Sequence, residues 1–430
     1  MTRRQKITST IGFLLTFLIL FSFVRRELYL RTDHNKDIEV YDPDYACDYN
    51  VLLLGPSTMT MGISPMMLWK EYGITSYNLA SHGNTIALNY WTLKNALDYT
   101  TPDLVILDVH FINQNIKLGE LYSAHQSFDI VPLSATKFDG IQDIISDDLK
   151  PEFLFPFFAY HSRWPQLEDP SFWSSEYNTY TRGFDLDRSV QLTPYAVSSL
   201  DWDDTETIDP TETIGKEYIC KIIELCQSKD IDILLMLVPY YFDQTDPIYT
   251  MYNSTQTIAD QYGINYLNMN LLDSVIDYRT DMTYNKSHLN LLGARKTTHA
   301  LGEYLLSNYS FDSDKQAEIQ SLWVSDYSRY YNALGEKLKE TKDLSTYLMI
   351  LAAGDYRIDV TIYDSSILSS EIVSVLWETL CANTDQMTVN YMQHDTTKPR
   401  IDLEITVSSV LTGEEIDHMK YSGVNDLIHE

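Results

Sequence analysis

A serine follows the first strongly apolar segment of the sequence, in Gly55-Pro56-Ser57. The preceding residues, Asn50 to Gly55, have the continuous apolar pattern of a buried strand. Ser57 would therefore lie at the carboxyl end of that strand, where a serine of a doubly wound sheet can attack an acyl carbon. The alternative is that Ser57 is a turn or N-cap residue for the segment leading to Ser64-Pro65, where a helix is predicted to begin.

A histidine, His288, lies in the segment Asn285-Lys-Ser-His-Leu-Asn290, which opens the last predicted helix of the sheet domain. An imidazole at the edge that holds Ser57 would take the serine proton, because a serine hydroxyl is a poor nucleophile without a neighbouring base. The imidazole needs a third group to fix its tautomer, and Asn285 and Asp281 are both candidates. The alternative is that His288 is only a polar residue at a helix start.

A glycine follows the second predicted strand, in Asn78-Leu-Ala-Ser-His-Gly-Asn84. Backbone N–H groups at the start of the next helix can face an anion, and Gly83 lets a substrate approach the main chain closely. Such donors suit an oxyanion hole, in which fixed N–H groups lie about 3 Å from the developing charge. Gly83 and Asn84 are therefore candidate oxyanion or substrate-binding residues, and the alternative is a plain turn between a strand and a helix.

Five apolar strands separated by helices position these residues. Near-continuous apolar strands joined by crossover helices predict a parallel sheet covered on both faces, so the fold class is α/β, a three-layer doubly wound five-stranded sheet. The predicted strands are 50–55, 75–79, 103–109, 232–238 and 264–268, and the predicted helices are 66–72, 85–99, 213–229, 248–262 and 290–308.

The sheet domain spans residues 31–310 and contains one long insertion, and a second domain follows it. An aromatic-rich insertion at 113–211 is expected to cap the carboxyl edge of the sheet, because a structureless loop of that length is unusual. Its rings at Phe153–Phe158 either stack on sugar faces or form the core of the cap, and 201–209 is expected to be a solvated loop. Residues 311–430 form an accessory α/β domain, with helices at 314–342 and 369–380 and strands at 356–363 and 401–407.

The N-terminus predicts a membrane anchor over residues 1–30. An uncharged run of 18 residues, Ile7 to Val24, is flanked by basic residues, and at 1.5 Å per residue it spans about 27 Å, enough for a hydrocarbon core. A cleaved signal peptide is the alternative, although no small-x-small cleavage site follows the run. A short N-terminal tail favours an N-in orientation, with the remaining domains outside the cytoplasmic membrane.

The charge of the chain limits its partners. With 31 basic and 61 acidic side chains, the net charge is 31 − 61 = −30, which argues against nucleic acid as a partner. The four cysteines form no C-x-x-C pair, and no metal-binding spacing is found, so we expect neither a metal nor another cofactor.

The order of the three motifs resembles the SGNH (GDSL-like) hydrolase superfamily. The similarity is strongest to its membrane-anchored branch, which includes DltD-like proteins of teichoic-acid D-alanylation and O-acetylation proteins of alginate-type systems. It covers roughly residues 49–308 without the insertion, and its most specific part is the terminal block Ser287-His-Leu-Asn-Leu-Leu-Gly-Ala294. The resemblance implies a flavodoxin-like SGNH fold with Ser57 as nucleophile and His288 as base.

The sequence departs from the family pattern in two places. The family has an aspartate three residues before the histidine, where this chain has Asn285, so the triad is Ser-His-Asn or recruits Asp281. The family block Gly-x-Asn-Asp after the third strand is replaced by Asp108-Val-His-Phe-Ile-Asn113. Asn113 is then the candidate substitute for the missing oxyanion donor, and His110 is a candidate pocket residue.

The resemblance implies a membrane-tethered serine esterase or O-acyltransferase acting on a cell-envelope polysaccharide or teichoic-acid-like polymer. It also implies an acylated polymer or acyl donor as substrate and a multipass membrane acyltransferase as partner. The alternative from another class is a catalytically silent scaffold that binds polymer or a membrane partner.

Overall fold

The computed structural model describes residues 2–28, 38–41, 49–162, 165, 179–199, 202, 211–241, 248–272, 275–285, 287–311, 313–394, 397, 400–423 and 427–429. The predicted loop at 201–209 lies outside the described residues apart from Trp202. Residues 173–178 of the aromatic-rich insertion and Cys47, one of the four cysteines, also lie outside them.

The first sheet is parallel throughout and has the strand order β2-β1-β3-β4-β5. Almost every residue of its three central strands is buried, because helices cover both faces. The predicted α/β class with a five-stranded parallel sheet is confirmed, and the order is compatible with a flavodoxin-like fold. The strands of this sheet are β1 Val51–Leu54, β2 Ser76–Asn78, β3 Leu104–Asp108, β4 Asp232–Leu237 and β5 Asn265–Asn268.

The helices of the described residues include all those predicted around the sheet, with ends that differ by up to three residues. They are α1 Arg3–Leu28, α2 Ile38–Tyr41, α3 Ser57–Gly62, α4 Pro65–Tyr72, α5 Ile86–Ala96, α6 Leu121–Phe128, α7 Ala135–Ile144, α8 Lys150–Leu154, α9 Phe157–Tyr160, α10 Leu186–Ser189, α11 Ile214–Gln227, α12 Ile248–Tyr262, α13 Leu291–Asn308, α14 Ser313–Glu340, α15 Leu344–Ala353 and α16 Glu371–Asn383.

Polar side chains cap the start of several of these helices, among them α4 and α13. Ser64 accepts a hydrogen bond from the Met67 N–H, and Pro65 occupies the first turn of α4, where its missing N–H costs nothing. Asn290 accepts a hydrogen bond from the Gly293 N–H at 3.0 Å, which fixes the start of α13 directly after the predicted histidine block. The short helix α3 has no such signal in the sequence and was not predicted.

The insertion has two parts with different positions. Its first described part, α6 to α9, packs against the flank of the sheet domain, with Phe128 and Phe153 buried in the core that also contains Trp91 of α5. The second part reaches the carboxyl edge, where the Arg182 carbonyl accepts from the Asn78 N–H and the Asp185 N–H donates to the Thr60 carbonyl. Only this second part lies where a cap was expected.

The second sheet is mixed and has the order β10-β9-β8-β6-β7. The sequence pattern predicted only two of its strands and placed β8 two residues too early, because partial alternation marks a half-buried strand but not its ends. Strands β7, β9 and β10 and helix α15 were missed. The strands are β6 Tyr356–Ile362, β7 Met387–Tyr391, β8 Leu403–Ser409, β9 Glu415–Tyr421 and β10 Ile428–His429.

The second sheet and its helices pack on the first domain through a continuous buried core. The rings of Trp69 and Trp323 lie 5.7 Å apart, and Arg182 of the insertion forms a buried ion pair with Asp326 of α14. The predicted boundary near residue 310 falls between α13 and α14.

Helix α1 contains a segment, Arg3–Ser22, that is long and apolar enough to cross a membrane. No residue of that segment is fully buried, and its mean hydropathy is 1.4. A membrane anchor and a signal sequence share these properties.

Candidate active site

Ser57 is the first residue of α3, directly after β1, and its side chain is half-buried. The chain reaches this position through Gly55, where a Cβ would lie only 2.8 Å from the Asp108 Cβ and 3.0 Å from the Met59 Cβ. Glycine is required there because β3 and α3 approach the main chain too closely for a side chain. The Gly-x-Ser sequence thus places Ser57 at the carboxyl edge of the sheet.

His288 lies next to Ser57, although the two residues are 231 positions apart in sequence. The distance between His288 Nε2 and Ser57 Oγ is 2.7 Å, and that between His288 Nδ1 and Asn285 Oδ1 is 2.6 Å. The Ser287 N–H donates to the same Asn285 oxygen at 3.0 Å, which identifies that atom as an acceptor. His288 Nδ1 therefore carries the proton, Nε2 has its lone pair, and the Ser57 hydroxyl donates to it.

Asp281 was the other candidate for orienting His288, and its position does not fit that role. Its carboxylate is fully buried and accepts two hydrogen bonds from Lys296 Nζ, at 2.9 and 2.7 Å. The Asp277 N–H and the Thr280 hydroxyl also donate to it. A buried carboxylate requires such compensation, and the partners of Asp281 hold the loop before His288 rather than the imidazole.

The environment of His288 favours its neutral form. Burial lowers its pKa to about 4, and His82 and Arg188 act in the same direction, while the charge of Asp185 opposes them. The exposed ring of Tyr284 stacks on the imidazole with centroids 5.2 Å apart. The imidazole is thus a free base over the neutral pH range.

Three charged or titratable residues lie near Ser57 and His288. The sequence analysis did not identify them as site residues. His82 Nε2 lies 3.0 Å from Asp185 Oδ2 and 2.6 Å from Arg188 Nη1, and Arg188 also contacts the Asp185 carboxylate at 3.3 Å. His82 belongs to the glycine motif and could have been found there. Asp185 and Arg188 come from the insertion, at least one hundred positions from Ser57 and from His288 in sequence, where no motif marks them.

Gly83 and Asn84, the two candidates in the glycine motif, differ in how deeply they are buried. Gly83 has a φ of +68°, a backbone conformation that favours glycine, and it is half-buried. Asn84 is fully buried, and its side-chain oxygen accepts from the Ser127 hydroxyl. Asn84 therefore joins the motif to the insertion, and its amide is used inside the fold.

Of the two candidate residues after β3, His110 lies at the site and Asn113 does not contact it. His110 lies close enough to His288 for the two rings to affect each other electrostatically, and burial lowers the His110 pKa to about 4. Its ring packs 4.5 Å from that of Tyr240, so His110 lines the site. Asn113 has an exposed side chain, and within the described part of the chain it forms no hydrogen bond with Ser57 or His288.

Asp108 lies beneath α3, the helix that Ser57 opens. It is fully buried, it accepts hydrogen bonds from the Thr58 hydroxyl and the His110 N–H, and burial raises its pKa to about 7. These contacts fix α3 against the end of β3.

Within the described ranges, no cluster of three or more His, Cys, Asp or Glu residues could hold a metal ion. No protein-family model matches the chain, and a search of curated proteins finds no match either.

Proposed function

We propose that this protein is a membrane-tethered serine acyl esterase or O-acyltransferase of the SGNH type. The observation that carries the proposal is the hydrogen-bonded series Ser57–His288–Asn285, with distances of 2.7 and 2.6 Å. It supplies a nucleophile, a base with a free lone pair and a group that fixes the tautomer of the base, which is the arrangement that activates a serine.

In the proposed reaction, Ser57 Oγ attacks the carbonyl carbon of an ester or thioester while its proton passes to His288 Nε2. The tetrahedral intermediate collapses when His288 returns that proton to the departing alcohol or thiol, which leaves an acyl group on Ser57. Water or a sugar hydroxyl then attacks the acyl-enzyme while His288 takes its proton. The bond between the acyl carbon and Ser57 Oγ breaks, and His288 returns the proton to Ser57 Oγ. Water gives hydrolysis, and a sugar hydroxyl gives transfer.

Two backbone donors are proposed for the oxyanion, the N–H groups of Ser57 and Gly83. Ser57 opens a helix, whose first N–H groups have no partner inside the helix. Neither of the two N–H groups donates to a backbone acceptor among the described residues. Asn84 and Asn113 are not part of this proposal, because one amide is engaged in the fold and the other is exposed.

The proposed location and substrate rest on α1 and on the family resemblance. The apolar segment Arg3–Ser22 supports a membrane anchor. The short N-terminal tail and the acidic remainder of the chain favour an N-in orientation, with the two α/β units outside the cytoplasmic membrane. The resemblance supports an acylated cell-envelope polysaccharide or teichoic-acid-like polymer as substrate and a multipass membrane acyltransferase as partner.

The test is a reaction of the full chain in detergent with a fluorophosphonate, read by intact mass. An activated Ser57 would displace fluoride and gain the phosphonyl group. Ser57→Ala and His288→Ala should abolish the adduct, whereas Ser366→Ala, a change at an exposed serine of the second unit, should leave it intact.

A silent scaffold that binds polymer or a membrane partner is the second candidate. Asn285 in place of the family aspartate favours it, because an amide cannot stabilise an imidazolium by charge. No adduct on a folded full chain, with the anchor and a candidate partner present, would support the scaffold instead of the enzyme.

A further inference from the structure

The insertion presents an aromatic surface that its own core does not use. Phe153 is buried and stacks on His125, with ring centroids 4.1 Å apart. Two residues further on, Phe155 is 59% exposed, and Phe158 is 52% exposed. The segment therefore turns inward at Phe153 and outward at the next aromatic residues.

We call Phe155, Phe157 and Phe158 the aromatic knuckle. Pro156 separates α8 from α9, so the chain turns within the knuckle. The rings of Phe155 and Phe158 lie 6.3 Å apart in an edge-to-face arrangement, and the Phe157 ring is also 6.3 Å from that of Phe158. Three rings at the tip of a short turn form one continuous apolar projection.

The knuckle contacts the apolar N-terminal helix. The rings of Phe157 and Phe21 lie 5.1 Å apart. Phe21 is half-buried by this contact, whereas Phe13 and Phe17, two turns and one turn earlier on the same helix face, are 69% and 53% exposed. The membrane-length segment ends at Ser22, so Phe21 marks the level at which α1 would leave the hydrocarbon.

We propose that the aromatic knuckle inserts into the interface of the lipid bilayer that α1 crosses, as a second point of attachment. This inference rests on the membrane anchor of the proposed function. Aromatic side chains are favoured at the membrane–water interface, and Phe155 and Phe158 lie beside a residue at that level.

The charge of the chain favours lipid contact through apolar groups. A protein with a net charge of −30 is repelled by anionic headgroups, so electrostatic attraction cannot hold it against the surface. Apolar insertion beside the anchor can do so. Two attachment points would limit rotation of the catalytic unit about its single helix and so fix the orientation of Ser57 relative to the membrane.

The test uses the full chain in vesicles of phosphatidylcholine alone, with an environment-sensitive fluorophore on Phe155→Cys or Phe158→Cys. The four native cysteines are first replaced, and the melting temperature is checked. Quenchers are carried on lipid acyl chains near the headgroup or near the bilayer centre. Both probes should be quenched more by the shallow quencher, consistent with an insertion depth of about 5–10 Å.

Probes at two control positions, one outside the membrane and one inside it, are needed to interpret the result. A probe at Tyr391, a 71% exposed residue of edge strand β7, should not be quenched, and a probe at Phe13, near the middle of the segment Arg3–Ser22, should be quenched most by the deep label. Quenching at Phe13 with knuckle probes that behave like Tyr391 would overturn the inference and leave the anchor standing. No quenching at Phe13 would overturn the anchor itself.

Protection of the knuckle without lipid quenching would assign it to another occupant. Protection that grows with protein concentration would identify a second copy, and protection that needs a co-reconstituted membrane acyltransferase would identify that partner. Either result contradicts lipid insertion. Fluorophosphonate labelling of Ser57 is a separate readout, so the proposed chemistry stands or fails independently.

Discussion

Asp281, which is fully buried, forms an ion pair with the partly exposed Lys296 beside the site, with Lys296 Nζ 2.9 and 2.7 Å from the two carboxylate oxygens. The pair joins the loop before His288 to the first turns of α13. This arrangement separates two tasks that the sequence left undivided, since Asp281 holds the loop and Asn285 contacts the imidazole.

Because the two tasks differ, substitution of Asp281 should lower stability, and substitution of Asn285 should lower the labelling rate. Asp281→Ala should lower the free energy of unfolding by about 1–3 kcal/mol, because the Asp277 N–H and the Thr280 hydroxyl lose their acceptor and Lys296 loses its partner. Asn285→Ala should change stability little but slow fluorophosphonate labelling on the order of 10²-fold, because the imidazole loses its orientation. Denaturant titration and labelling kinetics measure the two effects. Slower labelling by folded Asp281→Ala, with a normal rate in Asn285→Ala, would return the orienting role to Asp281.

The labelling rate of the native chain should be nearly constant from pH 8 down to about pH 5.5. The pKa of His288 is lowered to about 4, mainly by burial, so the imidazole stays a free base until the pH approaches that value. Below it, Nε2 is protonated and cannot accept the Ser57 proton, so the rate should fall. Labelling rates measured in buffers of constant ionic strength check this. A half-maximal rate near pH 6.5 would indicate an unperturbed histidine.

Asn285→Asp should increase the labelling rate on the order of tenfold at pH 8 and move the acid limb toward neutral pH. A carboxylate at Nδ1 stabilises the imidazolium, which raises the pKa of His288 and makes it a stronger base. Asn308→Asp, an exposed change of equal charge at the end of α13, is the control. A faster rate with an unmoved acid limb would mean that the carboxylate acts elsewhere than on His288.

The parallel sheet was predictable because its strands are nearly continuous apolar runs, as in Val51–Leu54 and Leu104–Asp108. Helix α3 was not, because its six residues follow a proline without a capping side chain. The strands β7 and β9 were also missed. They are half-exposed and polar, so their sequences lack the apolar runs that mark the strands of the first sheet.

The site was predictable where its residues belong to local motifs. Ser57, His288 and Asn285 each follow from a strand end or helix start, and the structure brings them together. The choice between Asn285 and Asp281 required the position of Lys296, which is 15 positions after Asp281 in sequence. Arg188 and Asp185 reach the site only through the fold of the insertion, so no sequence spacing could indicate them.

Gly55→Ala should lower the free energy of unfolding by about 1–3 kcal/mol and slow labelling of Ser57. The new methyl group would lie 2.8 Å from the Asp108 Cβ, so α3 must move and carry Ser57 away from His288. Gly413→Ala is the control, because Gly413 has a φ of +76° but open space around it, and only backbone strain is expected. Calorimetry and labelling kinetics check the two effects. Equal labelling rates in both variants would show that Ser57 does not depend on the approach of Gly55 to Asp108.

The buried ion pair between Arg182 and Asp326 should hold the second part of the insertion to α14. The two side chains are 1% and 5% exposed, and Arg182 also lies over the Trp323 ring, 5.2 Å from its centroid. Asp326→Ala should therefore cost about 3–5 kcal/mol of unfolding free energy, because it leaves a buried guanidinium without its carboxylate.

The double variant Arg182→Met/Asp326→Leu should recover most of that loss, since two apolar side chains of similar volume remove both charges together. Asp187→Ala, which breaks the more exposed pair with Lys337, should cost less than about 1 kcal/mol. A denaturant-based double-mutant cycle measures the coupling. If Asp326→Ala cost no more than Asp187→Ala, the pair would contribute nothing to holding the insertion, and the position of Asp185 and Arg188 beside His288 would need another support.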